Sequence, residues 1–549
     1  MRSFDIIFVL PYLFSDHPSF PEGILKRSLE AEGFSVGVIE TPFWQEPSSF
    51  SVLGAPNLFF SIIPGPVDSE VLNYTSARKR RREDLYQENA NAFFNGYPPS
   101  IKYKIRPDQT VIVFANCIRK IYKDIPIITG GIEASLRRFA HYDFQKDQIR
   151  RSILLDSRVD LLVTGMGEKQ IVAIARLAKS GAPLKETDIS GTVRIAKDID
   201  HYNNYVIIPT MEDIVKEPGK LMEATLKIES AAMAGQGVIQ PHDGRFIVQH
   251  PSQPYTSQDL DKIYGYSYTR RHPSHHTVSP ALRMNLFSVT SHRGCGGGCA
   301  FCSISAHEGK RVISRSVSSI LNEIEGFQSH PEWKGIVSDI GGASAELYGA
   351  DCTQPVCKRI SCLLDHPCPV LQSKTTNPFL DLLRQTRIIT GVKKIFLGSG
   401  IRYDLLLRNP ELLEEILRFH SGRFLRVAPE HTDGEVLTLM RKPHFEVFES
   451  FVKLFHAINR KLGRKIELAP YVVIGHPGET LKSVYTMAAL FKKLNLKTTD
   501  VQVFTPTPGT LSTAMYYAGT SMSYVPIPVE KNINALMKRK HMLTSSGME

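Results

Sequence analysis

A chain of 549 residues, 42% of them hydrophobic, has the length for roughly three or four domains and enough apolar side chains for large cores. Its formal charge of +11 permits a polyanionic partner such as RNA without establishing one, and no apolar run approaches the ~18 residues of a membrane span. Residues 1–13 lack the small-residue cleavage site of a signal peptide, and seven of the eight cysteines lie between Cys295 and Cys368, which points to metal in a reducing, cytoplasmic compartment rather than a disulfide framework.

In chain order, residues 4–10 read as a buried strand, 23–32 as a helix stopped by Gly33, and 35–39 as the next strand, a β-α-β unit. Further strands are predicted at 110–114, 125–129 and 160–164, with a helix from Glu168 toward Lys179 stopped by Gly181. Strands alternating with helices predict a mostly parallel sheet covered on both faces. The run Arg78-Lys79-Arg80-Arg81-Arg82, followed by Glu83 and Asp84, reads as a solvated helix face, with nucleic-acid contact as the sharper alternative. Cys117, alone after a predicted strand, reads as a small buried apolar residue. Gly130-Gly131 after a strand, leading into Ile132-Glu133-Ala134-Ser135, is a candidate small-ligand or interdomain contact rather than a GxGxxG fingerprint. From 185 to about 284 the pattern weakens into short strands and polar turns, read as a bridge between domains. His272, His275 and His276 in this bridge have no cysteine or carboxylate partner in sequence and read as loop histidines before they read as a metal site.

A strand at 285–290 then delivers Ser291-His292-Arg293-Gly294-Cys295-Gly296-Gly297-Gly298-Cys299-Ala300-Phe301-Cys302. Cys295, Cys299 and Cys302, spaced CxxxCxxC among four glycines, can turn their sulfurs onto one polynuclear metal site, with the loop backbone coiling around it. Three thiolates bind three of the four irons of a 4Fe-4S cluster and leave one for chemistry. The rival is a structural zinc knuckle, for which His292 and His307 are the candidate fourth ligands, or a redox CxxC. Five more strands are predicted at 335–340, 394–397, 424–427, 465–474 and 501–504, with helices between them, which describes a six-stranded partial barrel whose site lies at the C-terminal strand ends. Cys352, Cys357, Cys362 and Cys368 form a second set after the second strand, suited to an auxiliary iron-sulfur cluster, a zinc ion or redox-sensitive disulfides.

The CxxxCxxC loop with Phe301 before its third cysteine resembles the radical SAM superfamily. GGIEASLRR followed by His141-Tyr142-Asp143, then Gly165-Met166-Gly167-Glu168 and Tyr268-Thr269-Arg270-Arg271-His272-Pro273, is similar in order and spacing to the YgiQ-type radical SAM proteins. The resemblance runs from Asp16-His17-Pro18 to Tyr517 and implies an α/β protein, an N-terminal doubly wound, cobalamin-binding-like domain followed by a radical SAM partial (β/α)6 barrel. The corresponding boundaries are 1–184 for the α/β domain, 185–284 for the bridge, 285–518 for the radical SAM core and 519–549 for a short polar tail. Family members continue well past this tail, so any function of that extension is expected to be absent.

The resemblance also implies cofactors, a 4Fe-4S cluster on Cys295, Cys299 and Cys302 and S-adenosyl-L-methionine on the open iron. It implies an electron donor such as flavodoxin or ferredoxin, and a 5′-deoxyadenosyl radical acting on an unknown substrate. Gly341 and Gly342 stand where the superfamily's glycine pair receives the amino group of S-adenosylmethionine, but Ala343 replaces the usual Glu, which puts a carboxylate contact in doubt. Ser399, Arg426 and Glu430, at the third and fourth strands, are candidates for ribose and the methionyl carboxylate, Ile474 for adenine packing, and Phe301 for the cluster surroundings. An RNA- or protein-modifying, methylthiotransferase-like enzyme and a non-catalytic zinc and nucleic-acid binding protein are the alternatives. The cobalamin site of such N-terminal domains needs a DxHxxG loop after the first strand. Here Asp16 and His17 are adjacent and Pro18 follows, so a domain without cobalamin, acting as a lid or substrate platform, is expected.

Overall fold

The strand Ile6–Leu10 (β1) buries every side chain on both faces, as an interior strand of a parallel sheet must. In this computed structural model, which describes residues 3–545 except 274–277, 353, 355–356, 365–366, 373–376 and 498–499, β1 pairs in parallel with Val36–Glu40 (β2) and Phe59–Ile62 (β3). Ile127–Thr129 (β4) continues past β3, and the antiparallel pair His141–Asp143 (β5) and Gln148–Arg150 (β6) forms a separate small hairpin. Leu161–Val163 (β7) closes the parallel run, giving the order β2-β1-β3-β4-β7.

Residues 110–114 are helical rather than extended. They open the helix Thr110–Ile121, whose Val111, Phe114, Ala115 and Ile118 are buried at the i, i+3, i+4, i+7 spacing of one helix face. Five consecutive apolar or β-branched residues carry a strand's composition, but burial by a sheet surface decides for the helix. Cys117 lies on this helix, buried, with Sγ 3.3 Å from the Trp44 carbonyl. The arginine run falls on an exposed loop, not a helix, with a bridge from Tyr74 to Arg80 and the Arg78 guanidinium 4.4 Å from the Phe144 ring centre.

The stretch read as a bridge differs most. Thr192–Ala196 (β8), Val206–Ile207 (β9), Val238–His242 (β10) and Arg245–Gln249 (β11) continue the same sheet beyond β7 in the order β8-β11-β10-β9. β8 lies antiparallel to β7, so the sheet changes direction there and is nine strands wide. His272 is buried against the Glu40 carboxylate at 2.8 Å, while His275 and His276 lie outside the described residues.

The second half builds an open barrel. Ser288–Thr290 (β12) leads into the cysteine loop, which is flanked by the hairpin His292–Arg293 (β13) and Ile313–Ser314 (β14). Ile336–Val337 (β15) and Asp339–Gly341 (β16) share the second strand position, followed by Lys394–Ile395 (β17), Phe424–Glu430 (β18), Glu467–Ile474 (β19) and Asp500–Val503 (β20). The pairs β12 with β16, β15 with β17, β18 with β19 and β19 with β20 are all parallel. One side of each strand, including Val337, Ile395, Val427 and Val472, packs into a single hydrophobic cluster with helices such as Val317–Gly326, Phe445–Lys461 and Leu481–Lys493. The other side of β18 and β19 leaves Phe424, Arg426 and Tyr471 exposed, as in a barrel that does not close.

The tail expected to be short and polar contains the helix Ile533–Ser545, whose Leu536 and Leu543 are buried in the barrel cluster. Apolar residues seven apart on an otherwise basic helix are enough to dock it. Among the described residues no helix is long and apolar enough to cross a membrane.

The two halves meet at the C-terminal ends of both sets of strands. Gly165, after β7, has no room for a Cβ because the His307 carbonyl lies 2.9 Å from that position, and Arg293 donates to Glu168 at 2.6 Å. One hydrophobic cluster runs from β1 and β3 to Ala300, Val473 and Phe504, so the junction is a continuous core. Arg270 fastens it from the other side: its buried guanidinium reaches His17 Nε2 and the Leu286 carbonyl, both at 2.7 Å, and pairs with Glu323. Arg270→Met strands these groups and should lower stability by about 3 kcal/mol, read as a lower urea midpoint. The double variant Arg270→Met, Glu323→Gln should recover part of the loss, and an unchanged midpoint for the single variant would refute this role.

Candidate active site

The cysteine loop owes its shape to positions where only glycine fits. Gly294 and Gly298 have φ of 80° and 65°, and a Cβ on either would collide with a carbonyl, that of Arg311 for Gly294 and that of Ile360 for Gly298. At Gly297 a Cβ would fill the cradle itself, standing 3.4 Å from Cys295 Sγ, 3.8 Å from Cys299 Sγ and 2.9 Å from Arg402 Nη1. The Gly297 N–H faces Cys295 Sγ, and those of Ile304 and Ser305 face Cys302 Sγ. All three thiols are free. Burial, reinforced by the neighbouring sulfurs, pushes the Cys302 thiol up to about 12 and raises Cys295 as well.

This donor set fits a cluster better than a mononuclear ion. A zinc tetrahedron with Zn–S bonds near 2.3 Å needs sulfurs ~3.8 Å apart. Among the described residues the one trio of ligand atoms gathered within 4.8 Å is Glu212, His242 and Asp243, near the surface and remote in sequence from the cysteines. His292, buried, and His307, half-buried, the candidate fourth ligands, are held neutral, each pushed down to about 4 by desolvation. The His292 ring instead lies against Gly342, whose Cβ position is 2.8 Å from Nε2.

Charged groups crowd the loop, two of them, Arg402 and Asp404, from the stretch 399–404 that the sequence marks as the third strand end, and one, Glu346, that it does not single out. Arg402, on the loop after β17, turns its guanidinium toward Gly297 and holds it there by a bidentate pair with Asp404 at 3.0 and 2.9 Å. Its backbone N–H donates to Glu346 Oε1 at 2.8 Å, and Ser344 Oγ donates to the other carboxylate oxygen at 3.1 Å. Burial pushes Glu346 up to about 8. A carboxylate therefore does reach the end of the second strand, four residues after Gly342 rather than directly after it. The signal available in the sequence was Glu346 itself, the first acidic residue after the glycine pair.

The residues singled out from the sequence are divided by the structure. Glu430 ends β18 at φ 67° where the pairing register breaks, buried 3.6 Å from Lys442 Nζ, with Oε2 lacking a hydrogen-bond partner among the described residues. A non-glycine residue held in this region costs about 1–3 kcal/mol. Phe301 packs edge-on to His476 at 6.4 Å. Gly341 accepts from Ser291 N at 2.8 Å and has Ser399 against it, while Ser399 Oγ is held by Asp339 rather than pointing freely into the mouth. Arg426 sits in the first half of β18, 80% exposed, with Asp500 at 3.9 Å. Ile474 turns away from the mouth into the cluster with Val484 and Met487.

A cavity of about 550 Å³ opens beside the loop, between β7 and the barrel, and both Cys299 and Cys302 line it. That is the size of a small-molecule site. Its walls carry Arg138, Lys310, Arg311, Arg359 and Arg441 against Glu229 and Glu308. Glu229 pairs with Lys310 and, at 2.8 Å, with Arg441. Arg138 donates to Gln249 Oε1 at 2.6 Å, and no described carboxylate forms an ion pair with it; desolvation alone pushes it down to about 10. Cys352, Cys357, Cys362 and Cys368 line the same cavity.

A family model described as Radical SAM N-terminal matches residues 1–288, and a UPF0313 protein of Methanocella arvoryzae is 42% identical over 98% of this chain and 90% of its own. The chain belongs to this family of radical SAM proteins. A UPF0313 protein of Clostridium botulinum is 40% identical over 94% of this chain and 80% of that one. Among solved structures, the radical S-adenosylmethionine methyltransferase TsrM of Kitasatospora setae, with cobalamin and a 4Fe-4S cluster bound, superposes on 93% of this chain and 77% of its own with a TM-score of 0.53 and 17% identity. What the two share is the fold, a cobalamin-binding-like α/β domain ahead of a partial barrel.

In this UPF0313 chain the residues after β1 are committed elsewhere. The Asp16 carboxylate takes Arg27 and the Thr269 N–H and hydroxyl at 2.9 and 2.8 Å, while the buried His17 ring faces Arg270 Nη1 at 2.7 Å and the Ser19 N–H at 3.0 Å. Asp16 thus does not orient the imidazole, and the imidazole does not face open space. Hydroxocobalamin mixed with the protein should keep its visible spectrum and leave on desalting. Stoichiometric retention with a spectrum that depends on His17 would overturn this expectation.

Proposed function

We propose that the protein is a radical SAM enzyme in which Cys295, Cys299 and Cys302 hold a 4Fe-4S cluster by three irons. The observation that carries this reading is the cradle at Gly297, with free thiols and inward N–H groups around it and a substrate-sized cavity at its side. When bound, cluster and S-adenosylmethionine supply reductive cleavage of the sulfonium and a 5′-deoxyadenosyl radical that takes hydrogen from substrate. A low-potential donor such as flavodoxin or ferredoxin provides the electron.

The chain's own residues hold and shield that chemistry. Arg402, clamped by Asp404 and steadied by Glu346, sets a fixed positive charge beside the sulfurs, suited to the anionic cluster or to a carboxylate bound on it. The continuous core between the halves walls the loop on the side of Ala300, which limits the water that can reach a carbon-centred radical from that side. Arg138, buried in the cavity wall without an ion pair to any described carboxylate, suits a substrate that carries negative charge.

The reconstituted, reduced protein should release 5′-deoxyadenosine from S-adenosylmethionine slowly without substrate, and the triple variant Cys295→Ala, Cys299→Ala, Cys302→Ala should release none. Retention of the wild-type rate in that variant would end the assignment. When a small-molecule cell extract is split on an anion exchanger, the fraction that accelerates this turnover should be the retained one, and the acceleration should weaken at least tenfold in Arg138→Gln. Acceleration confined to the flow-through contradicts the acidic substrate.

A further inference from the structure

We infer that Cys352, Cys357, Cys362 and Cys368 hold a second, fully ligated iron-sulfur cluster on the wall of the same cavity. All four are free and partly buried, and all four border the cavity that Cys299 and Cys302 border. They come from one seventeen-residue stretch whose described residues form no strand or helix, so no regular element brings them together.

Each cysteine is instead pinned separately through its backbone. Cys352 N–H donates to the Val312 carbonyl at 3.3 Å, Cys357 to Met233 at 3.4 Å, Cys362 to Gly296 at 2.8 Å and Cys368 to Cys362 at 2.8 Å. Met233 belongs to the helix Gly219–Ala234, Val312 to the segment after the cysteine loop and Gly296 to that loop, so three different parts of the fold set these positions. A Cβ on Gly296 would stand 3.0 Å from Cys362 Sγ, which puts Cys362 directly behind the loop of the first three cysteines.

Two features select the ligand. No three of the four sulfurs gather within 4.8 Å among the described residues, which is wider than a zinc tetrahedron and leaves room for a polynuclear core. The local charge also fits an anion: a cluster carried by four thiolates is negative overall, and Lys310, Arg311 and Arg359 stand on the same wall, with the Arg359 N–H donating to Cys357 Sγ at 3.4 Å. Four protein ligands leave no iron open, so this second cluster does not take S-adenosylmethionine and differs in kind from the first.

Iron, acid-labile sulfide, zinc and electron paramagnetic resonance measured on protein purified anaerobically from iron-replete cells test the inference. The full chain should hold about eight iron and eight sulfide, two 4Fe-4S equivalents, and the Cys295→Ala, Cys299→Ala, Cys302→Ala variant about four of each. After reduction that variant should show a cluster signal which S-adenosylmethionine leaves unchanged. Replacing the quartet cysteines by Ser should remove the other half and leave a signal that S-adenosylmethionine shifts; if that variant does not fold, the first variant still decides. A triple variant free of iron overturns the inference, as does one zinc per chain in the unmodified protein. Continued 5′-deoxyadenosine release by the triple variant would instead sink the proposed reaction and leave the quartet's iron count untouched.

Discussion

Everything at the mouth of the barrel rests on one steric fact, the absence of a Cβ atom at Gly294, Gly296, Gly297 and Gly298. Four layers converge on that backbone: the Arg311 carbonyl at Gly294, Cys362 at Gly296, the Arg402 guanidinium at Gly297 and the Ile360 carbonyl at Gly298. They come from three parts of the chain, the segment after the loop (Arg311), the quartet segment (Ile360 and Cys362) and the third strand end (Arg402). A methyl group at any of the four would push away a neighbour that positions sulfur or charge. The loop is thus less a flexible coil than the keystone into which several backbone segments are fitted.

The N-terminal domain extends the same logic. In a parallel α/β sheet the C-terminal strand ends are where ligands sit, and in a barrel the C-terminal face serves the same purpose. Here both ends face each other across one cavity, and the hydrophobic cluster that unites them passes through Ala300, between two of the cysteines. The sheet brings Arg138 and Gly165 to that cavity and the barrel brings the thiols, so neither half presents a finished site alone. Continuation of the sheet through β8 to β11 brings Gln249, which anchors Arg138, into the same wall.

Much of this was legible in the sequence because it was local. A glycine-embedded cysteine spacing, a β-α-β rhythm and strand runs ending in Gly or Pro state their structure within a dozen residues. The failures arose where distant partners decide. Residues 110–114 have strand composition and become a helix because a sheet face buries Val111, Phe114 and Ile118. β8 to β11 are short and polar-edged, and they are strands because β7 offers an edge. The basic tail docks through Leu536 and Leu543, two side chains that composition averages hide. Ile474 and Ser399 show the same limit at the site, since which way a strand-end side chain points depends on pairing register, not on its place in a motif.

The second strand end makes that last point chemically. Ala343 breaks the expected order of glycine pair and acid, which along the chain looks like the loss of a carboxylate. In space the short turn Ala345–Leu347 folds back and sets Glu346 under the Arg402 N–H, with Ser344 holding its other oxygen. What the site needs is an acceptor that fixes the loop carrying Arg402, and a half-buried acid meets that need from any sequence offset the turn can span. Arg402 in turn is locked by Asp404, so its charge stays beside Cys295 and Cys299 without help from a ligand. Spacing along a chain is thus a proxy for position in space, and at Ala343 it misses that a three-residue turn carries an acid back to the second strand end.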